Sequence, residues 1–428
     1  MKINIISLGC PKNLVDTEIL CGLLNEKKHN FVVSPQEADV VILSTCSFIS
    51  SARKEAKIYI NKLAKLKKEK NFKLIVVGCL PELEKENLQK TYPEVDAFFG
   101  ISEYKKIPKM LKNLEQKFFD VSEKKDFIPS CTLPRVVSTK NYAYLKIADG
   151  CNNRCSYCLI PNIRGQYRER SIEDILEEAN KLVSYGKKEL IIISQDTTLY
   201  GTKIYKKQIL HKLLRQLSKI KDLFWIRILY THPAHFYDEL IKEISSNEKV
   251  CKYIDLPIQH TSDKILSLMN RKITRKEILN LIEKLKKHNI TLRTTMMVGF
   301  PEETEKDFKI LYNDIKTIEF DWLGVFKFEK QKETPAYNFK NEVLKKEKDE
   351  RFKKIMELQQ KITYKKNLER LNKIYPMILD DTNFGHTEFQ CPEIDGKTYI
   401  SQPICSQIIS VKPKKLFNPY DLFAEVVK

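Results

Sequence analysis

Twice along the chain, over residues 1 to about 100 and again from about 140 to 365, short strand-like runs alternate with longer amphipathic stretches. A run that is apolar throughout must bury both faces, and such strands separated by helical segments predict parallel sheets joined by crossover helices. In the first region the runs are Ile3 to Leu8, Val40 to Leu43 and Leu74 to Val77. In the second they are Tyr142 to Ile147, Leu190 to Ser194, Trp225 to Leu229, Tyr253 to Leu256, Thr291 to Val298 and Trp322 to Phe328. Helical patterns lie between them, such as Ser171 to Tyr185, where Ser171 is placed to cap and Asp174 sits near the positive helix end. The second region predicts an open (β/α)6 barrel with its chemistry at the carboxyl ends of the strands.

Cysteines stand at those ends. Each run of the first region is followed by one, Cys10, Cys46 and Cys79, and a parallel sheet brings such loops to one rim. Three thiolates meeting there admit a 4Fe-4S cluster with one open iron; any one of them alone reads as a small buried residue. The first strand of the second region leads into DGCNNRCSYCLIPNIRG, a CxxxCxxC array of Cys151, Cys155 and Cys158. Three thiolates on one loop can hold three irons of a cube and leave the fourth for a substrate or cofactor. The competing metal, zinc, takes four protein ligands, and here the nearest further cysteine is Cys131, with no histidine close by.

CxxxCxxC with Tyr157 before its last cysteine resembles the signature of radical S-adenosylmethionine (SAM) enzymes, and Ile160-Pro161 with Arg164-Gly165 narrows the resemblance to the methylthiotransferases. It implies that the open iron binds SAM, whose reductive cleavage gives a 5'-deoxyadenosyl radical. SLGCPKNLVDTE, STCSFISSARKEA and VVGC resemble the amino-terminal motifs of that family, which implies an auxiliary sulfur-handling cluster on Cys10, Cys46 and Cys79. Two departures stand out: Ser44 and Ser47 flank Thr45-Cys46 where the family reads Asn-Thr-Cys-Gly, and Leu80-Pro81-Glu82-Leu83 lacks the usual Gln-Arg-Tyr. By position the resemblance places Tyr157, Gln195, Arg227 and Gly299 at SAM, and it requires no catalytic residue beyond the six ligands. Asp196, Tyr230, His232, Gln259, His260, Glu302 and Glu303 complete the polar set at the strand ends.

After the charge-rich helical stretch Lys345 to Asn372 come short β-rich runs: Pro376 to Asp380, Glu388 to Phe389, Thr398 to Ile400, Gln407 to Val411 and Leu422 to Val427. Turn signals fall at Asn383 to Gly385, Asp395-Gly396 and Asn418-Pro419, so a small five-stranded antiparallel β-barrel is predicted, resembling the TRAM domain. The expected domains are therefore 1–125, the auxiliary-cluster domain; 137–368, the radical SAM core; and 370–428, the barrel.

The net charge of +19 admits a nucleic-acid partner, but much of it is lysine spread over helical faces such as Lys62 to Lys70. From Pro376 to Lys428 five lysines stand against seven acids, a net of −2, whereas an RNA-gripping surface should be basic. GCPKNLVD at Gly9 to Asp16 and CPEIDG at Cys391 to Gly396 resemble the branch that modifies an aspartate of small-subunit ribosomal protein twelve. The resemblance then implies a methylthio group added at the aspartate β-carbon with two SAM and two 4Fe-4S clusters. The implied partners are the ribosomal protein or the assembled small subunit, and a reductant protein such as flavodoxin or ferredoxin. Alternatives are a tRNA adenosine methylthiotransferase and, from another class, a zinc-stabilised RNA-binding protein. No apolar run approaches the roughly eighteen residues of a membrane span, so a cytoplasmic protein with reduced cysteines is expected. Cys21, Cys131, Cys251, Cys391 and Cys405 are left as ordinary residues, with Cys131, in the linker Ile128 to Pro134, expected to be exposed.

Overall fold

The computed structural model describes residues 1–111 and 116–427, so residues 112–115 and 428, which fall inside two of the expected domains, lie outside the described residues. The chain divides into two compact units: Met1–Ser138 with Lys146–Arg154 and Cys158–Ile175, and Thr139–Leu145 with Cys155–Tyr157 and Leu176–Lys428.

The first unit is built on β1 (Lys2–Ser7), β2 (Asn30–Phe31), β3 (Val40–Thr45), β4 (Lys73–Gly78), β5 (Ala97–Phe99) and β6 (Phe118–Asp120), in the order β2-β1-β3-β4-β5-β6. All its ladders are parallel, and the three expected runs are its adjacent central strands. Their residues alternate between faces as a pleated strand requires. Val41, Leu43, Leu74 and Val76 pack with Ala56, Ile60 and Leu63 of the helix Ser50–Lys70. Val40, Ile42, Ile75 and Val77 pack on the other side with Leu20 and Leu24 of the helix Pro11–Glu26. A small antiparallel ribbon, β8 (Ala148–Asp149) with β9 (Arg168–Glu169), also belongs to this unit.

In the second unit β7 (Tyr142–Lys146), β10 (Glu189–Ile193), β11 (Trp225–Ile228), β12 (Val250–Asp255), β13 (Thr291–Val298) and β14 (Trp322–Lys327) form one open sheet in chain order. The ladders from β10 to β14 are all parallel, as the open (β/α)6 arrangement expected from the sequence requires. The helix preceding β10 runs Ile172–Ser184, and the Asp174 backbone N–H donates to Ser171 Oγ at 3.2 Å, the predicted cap. No helix among the described residues is long and apolar enough to cross a membrane.

The chain ends in a closed barrel of β15 (Tyr375–Leu379), β16 (Phe384–Thr387), β17 (Thr398–Ile400), β18 (Ile408–Leu416) and β19 (Leu422–Val427), in the order β15-β16-β17-β19-β18. Two expectations change here. A closed ring of an odd number of strands cannot alternate direction all the way round, and the β17–β19 ladder is accordingly parallel while the other four are antiparallel. The turn expected at Asn383 to Gly385 lies partly inside β16, and Glu388 and Phe389 lie beyond that strand. Gly385 is there for close approach, not for a turn: a Cβ would meet the carbonyl oxygen of Ile378 on β15 at 2.0 Å.

Candidate functional site

The three thiols of the first unit follow three neighbouring strands. Gly9, at φ +97°, turns the chain after β1 so that Cys10 opens the helix Pro11–Glu26; any side chain at Gly9 would strike the Cβ of Cys46, 2.3 Å away. Gly78, at φ +98°, does the same before Cys79, lying against the Thr45 carbonyl. The Cys10 and Cys46 thiols hydrogen-bond, and that bond, with further help from Lys12 and Arg164 and against burial, holds Cys10 well below the usual thiol range. Cys46 is pushed up by the same bond and by burial, and Cys79 first by burial.

The polar frame is hydrogen-bonded across the strand ends. Asn13 Nδ2 donates to Leu8 O at 2.7 Å and Ser44 Oγ at 2.9 Å, and Thr17 Oγ1 donates to Ser44 Oγ at 2.8 Å. Ser47 Oγ donates to the carbonyl of Cys79 at 2.8 Å. Ser44 and Ser47, the residues at which the sequence departs from the family motif, thus tie together the loops that carry the three cysteines.

The donor set suits a soft, anionic cluster: three thiols outside any disulfide, with cations beside Cys10 and Cys79. It suits zinc less well. Among the described residues only Asp196, His232 and His235 bring three donor atoms within 4.8 Å of one another, so the three thiols do not close around a single ion.

The boundary between the units runs through the loop Cys151–Cys158. Within the first unit the Cys151 N–H donates to Gly165 O at 3.1 Å, and the Tyr167 N–H donates to Asn152 Oδ1 at 3.0 Å. The Ile160 N–H donates to Cys158 Sγ at 3.4 Å. Within the second unit Arg271 donates to Cys155 Sγ at 3.6 Å. Ser156 is held between Met269 O and the Ala336 N–H, at 3.1 and 2.8 Å. Tyr157 meets Phe300 edge to face, ring centres 6.4 Å apart, in an apolar cluster with Ile265 and Met269. Gly299, at φ +71°, immediately precedes that phenylalanine and leaves room for the Lys348 stem, 2.2 Å from a would-be Cβ.

Gln195 is half-buried at the carboxyl end of β10, followed by buried Asp196. His235 Nδ1 lies 2.7 Å from Asp196 Oδ2, and His232 Nδ1 accepts the Ala234 N–H at 3.2 Å. A neutral histidine accepting at Nδ1 carries its proton on Nε2, so His232 presents a donor here and not a metal ligand. Burial, then Arg271, pushes His232 down to about 2, and burial takes His260 to about 3 and raises Glu303 to about 7. His235 was missed from the sequence; the signal was its spacing of three from His232.

Arg227 lies elsewhere. It is fully buried, its Nε donating to Glu189 Oε1 at 2.7 Å and its terminal nitrogens to the carbonyls of Glu388 and Thr387 at 2.7 and 3.3 Å. Glu189 opens β10, so Arg227 is drawn toward the amino ends of the strands, away from the rim where SAM was expected. It forms part of a clasp that the sequence did not reveal: each of the six strands sends one side chain to the segment His386–Asp395. Tyr144 of β7 donates to Glu393, Glu189 of β10 pairs with His386, and Arg227 of β11 holds the carbonyls. Tyr253 of β12 donates to Asp395, Arg293 of β13 pairs with the same carboxylate, and Trp322 of β14 donates to Phe389 O.

The clasp has a pH signature. Burial opposes charge on His386, but Glu189 and Asp380 outweigh it and raise the imidazole to about 9. A group whose folded value exceeds its unfolded value of about 6.5 contributes fully below that pH and loses its contribution as pH rises through the folded value. Denaturant melts are therefore expected to show about 3 kcal/mol of stability lost between about pH 6.5 and 9. His386→Phe should flatten that slope; a slope equal to the parent's would refute the assignment. Cys131 also corrects an expectation: it is buried, its N–H donating to Asp174 Oδ1 at 2.8 Å, and Cys405 is the exposed cysteine.

Comparison with known proteins agrees with this architecture. Residues 145–315 match the Radical SAM superfamily and residues 2–100 match the family described as Uncharacterized protein family UPF0004. Over 446 aligned residues the chain is 44% identical to ribosomal protein uS12 methylthiotransferase RimO of Acetivibrio thermocellus, spanning 100% of this chain and 98% of the relative. The protein of the same name from Clostridioides difficile is 42% identical over 100% and 99% of the two chains, and that from Caldicellulosiruptor saccharolyticus 41% over 100% of both. Among solved structures, the radical SAM methyltransferase TsrM from Kitasatospora setae superposes with a TM-score of 0.59 at 12% identity, over 78% of this chain and 75% of that one, a likeness of fold. With relatives this similar over its whole length, the chain belongs to the RimO family of ribosomal protein uS12 methylthiotransferases, within the radical SAM superfamily.

Proposed function

We propose that the chain attaches a methylthio group to the β-carbon of an aspartate of ribosomal protein uS12, with Cys151, Cys155 and Cys158 holding one 4Fe-4S cluster and Cys10, Cys46 and Cys79 a second. The observation that carries this reading is the gathering of Cys10, Cys46 and Cys79 at one rim beside the Arg164 cation. SAM cleavage alone needs one three-thiol set; a second set gives sulfur its own place. Bound there, the two clusters and two SAM molecules supply hydrogen abstraction, sulfur and its methyl group.

The aspartate β-C–H is unactivated and yields no proton to a side-chain base at neutral pH, so the chain's own residues bind and orient. Tyr157, Gln195 and Gly299 are proposed to line SAM. Arg227 is assigned to the clasp, where its donors are already engaged. The working domains are 1–125, 137–368 and 370–428, acting in the cytoplasm on uS12 or the assembled small subunit, with flavodoxin or ferredoxin as the class of reductant.

The test is a mass comparison, in cells with and without the gene, of intact ribosomal proteins and digested tRNA nucleosides. Loss of one methylthio mass from uS12 with tRNA unchanged is the expected result. Loss from a tRNA adenosine instead would overturn the substrate while leaving the chemistry.

A further inference from the structure

We infer that Arg164 sets the reduction potential of the site on Cys10, Cys46 and Cys79, with Asp16 and Asp149 as the residues that aim it; this rests on reading those cysteines as cluster ligands. The residues all lie in the first unit. Arg164 is 3% exposed and Lys146, Asp16 and Asp149 are fully buried. Arg164 Nη1 donates to Asp16 Oδ2 at 2.5 Å and Asp149 Oδ2 at 3.1 Å. Lys146 Nζ holds the same two carboxylates at 2.7 and 2.6 Å.

Two cations and two anions balance, so the quartet meets the requirement that buried charge be paired without calling on any other group. Yet Arg164 Nη2 is turned out of the quartet and donates to Cys79 Sγ at 3.5 Å. A purely structural ion-pair network needs no such contact. With Nη1 fixed by two carboxylates, the planar guanidinium has one orientation, and that orientation delivers a charged N–H to a ligand sulfur in a dry setting. Asp16 stands six residues after Cys10, Asp149 two before Cys151 and Arg164 six after Cys158. One network therefore ties the helix of the first cysteine set to both flanks of the loop carrying the second. A positive donor on a ligand sulfur stabilises the more negative, reduced form of a cluster and raises its potential.

The test isolates the auxiliary site by using full-length chain with Cys151, Cys155 and Cys158 all replaced by alanine, reconstituted anaerobically with iron and sulfide. EPR-monitored redox titration then compares this parent with Arg164→Met, Arg164→Lys and Asp16→Asn. Arg164→Met is expected to lower the reduced-to-oxidised ratio at a fixed potential at least tenfold, a shift of about 59 mV for a one-electron couple. Arg164→Lys, which keeps the charge and loses the fork, should fall between, and Asp16→Asn should shift the same way by less. A potential equal to the parent's in Arg164→Met at equal iron content overturns the inference. Should that variant hold no cluster, parent-like potentials in both Arg164→Lys and Asp16→Asn do the same. A parent that takes up no iron overturns the cluster reading itself, and the inference with it.

Discussion

Cys155→Ala is expected to yield a folded chain that forms no 5'-deoxyadenosine from SAM under reducing conditions and carries about half the iron of the parent. The loop gives each of its thiols a distinct setting: Cys155 is 9% exposed and receives the Arg271 guanidinium, while Cys158 receives the backbone N–H of Ile160. Alanine leaves two thiols on the loop, one short of the three that a cube with a single open iron requires. It also strips Arg271 of its sulfur partner while leaving the bond from that guanidinium to Pro257 O, so the loss falls on metal binding and the fold is spared. The other triad, on separate strand ends, keeps its ligands. Cys405→Ala, at an exposed cysteine outside both sets, serves as the matched control with parent iron and parent turnover. Deoxyadenosine formed by Cys155→Ala would show that the loop is not the SAM site.

The parts of this arrangement that sequence made legible are those fixed by local pattern. Cys10, Cys46 and Cys79 follow three β-rich, largely apolar runs, and such runs become neighbouring strands whose ends share a rim. β2, β5 and β6, two or three residues each, are too short for any periodicity and join the sheet through tertiary pairing. Arg227 shows a different limit. Its strand was foreseen, but the end of the barrel to which its side chain is drawn depends on Glu189 and on a segment 160 residues further along.

The acidic balance of the carboxy-terminal region argues against RNA as the substrate, and the full-length relatives, uS12 methylthiotransferases, agree with it. Glu388 accepts the Lys252 N–H, Glu393 and Asp395 accept from Tyr144 and Tyr253, and Asp380 pairs with His386. Asp381 and Asp421 likewise accept from the Thr382 and Lys397 N–H groups and Glu425 pairs with Lys414, but the tyrosine and backbone donors are neutral and leave the negative balance of the region in place. GCPKNLVD and CPEIDG point the same way, as do the full-length relatives.

Glu189→Ala should be among the most destabilising single changes in the second unit, lowering stability by about 3–5 kcal/mol, the range for breaking a buried ion pair from one side. The carboxylate, fully buried, faces the Arg227 guanidinium on one oxygen and the His386 imidazole on the other, and burial raises its pKa less than those two cations lower it, to about 2. Without it, Arg227 keeps only the carbonyls of Thr387 and Glu388 and the face of Tyr253, 4.8 Å away, none of which neutralises a charge. His386 keeps Asp380 and holds its proton less tightly. Removing both charges behaves differently: a well-filled Glu189→Leu, Arg227→Met pair discards the desolvation cost along with the attraction, and such replacements of buried pairs are often neutral. Denaturant melts of the parent, Glu189→Ala, Arg227→Met and the Glu189→Leu, Arg227→Met double variant separate the terms, provided that two probes, Trp225 and Trp322 fluorescence against far-ultraviolet dichroism, trace one transition. The double variant should be more stable than either single. A double variant as unstable as Glu189→Ala would mean that packing at the clasp, and not its charge pairing, holds the segment His386–Asp395 to the strands.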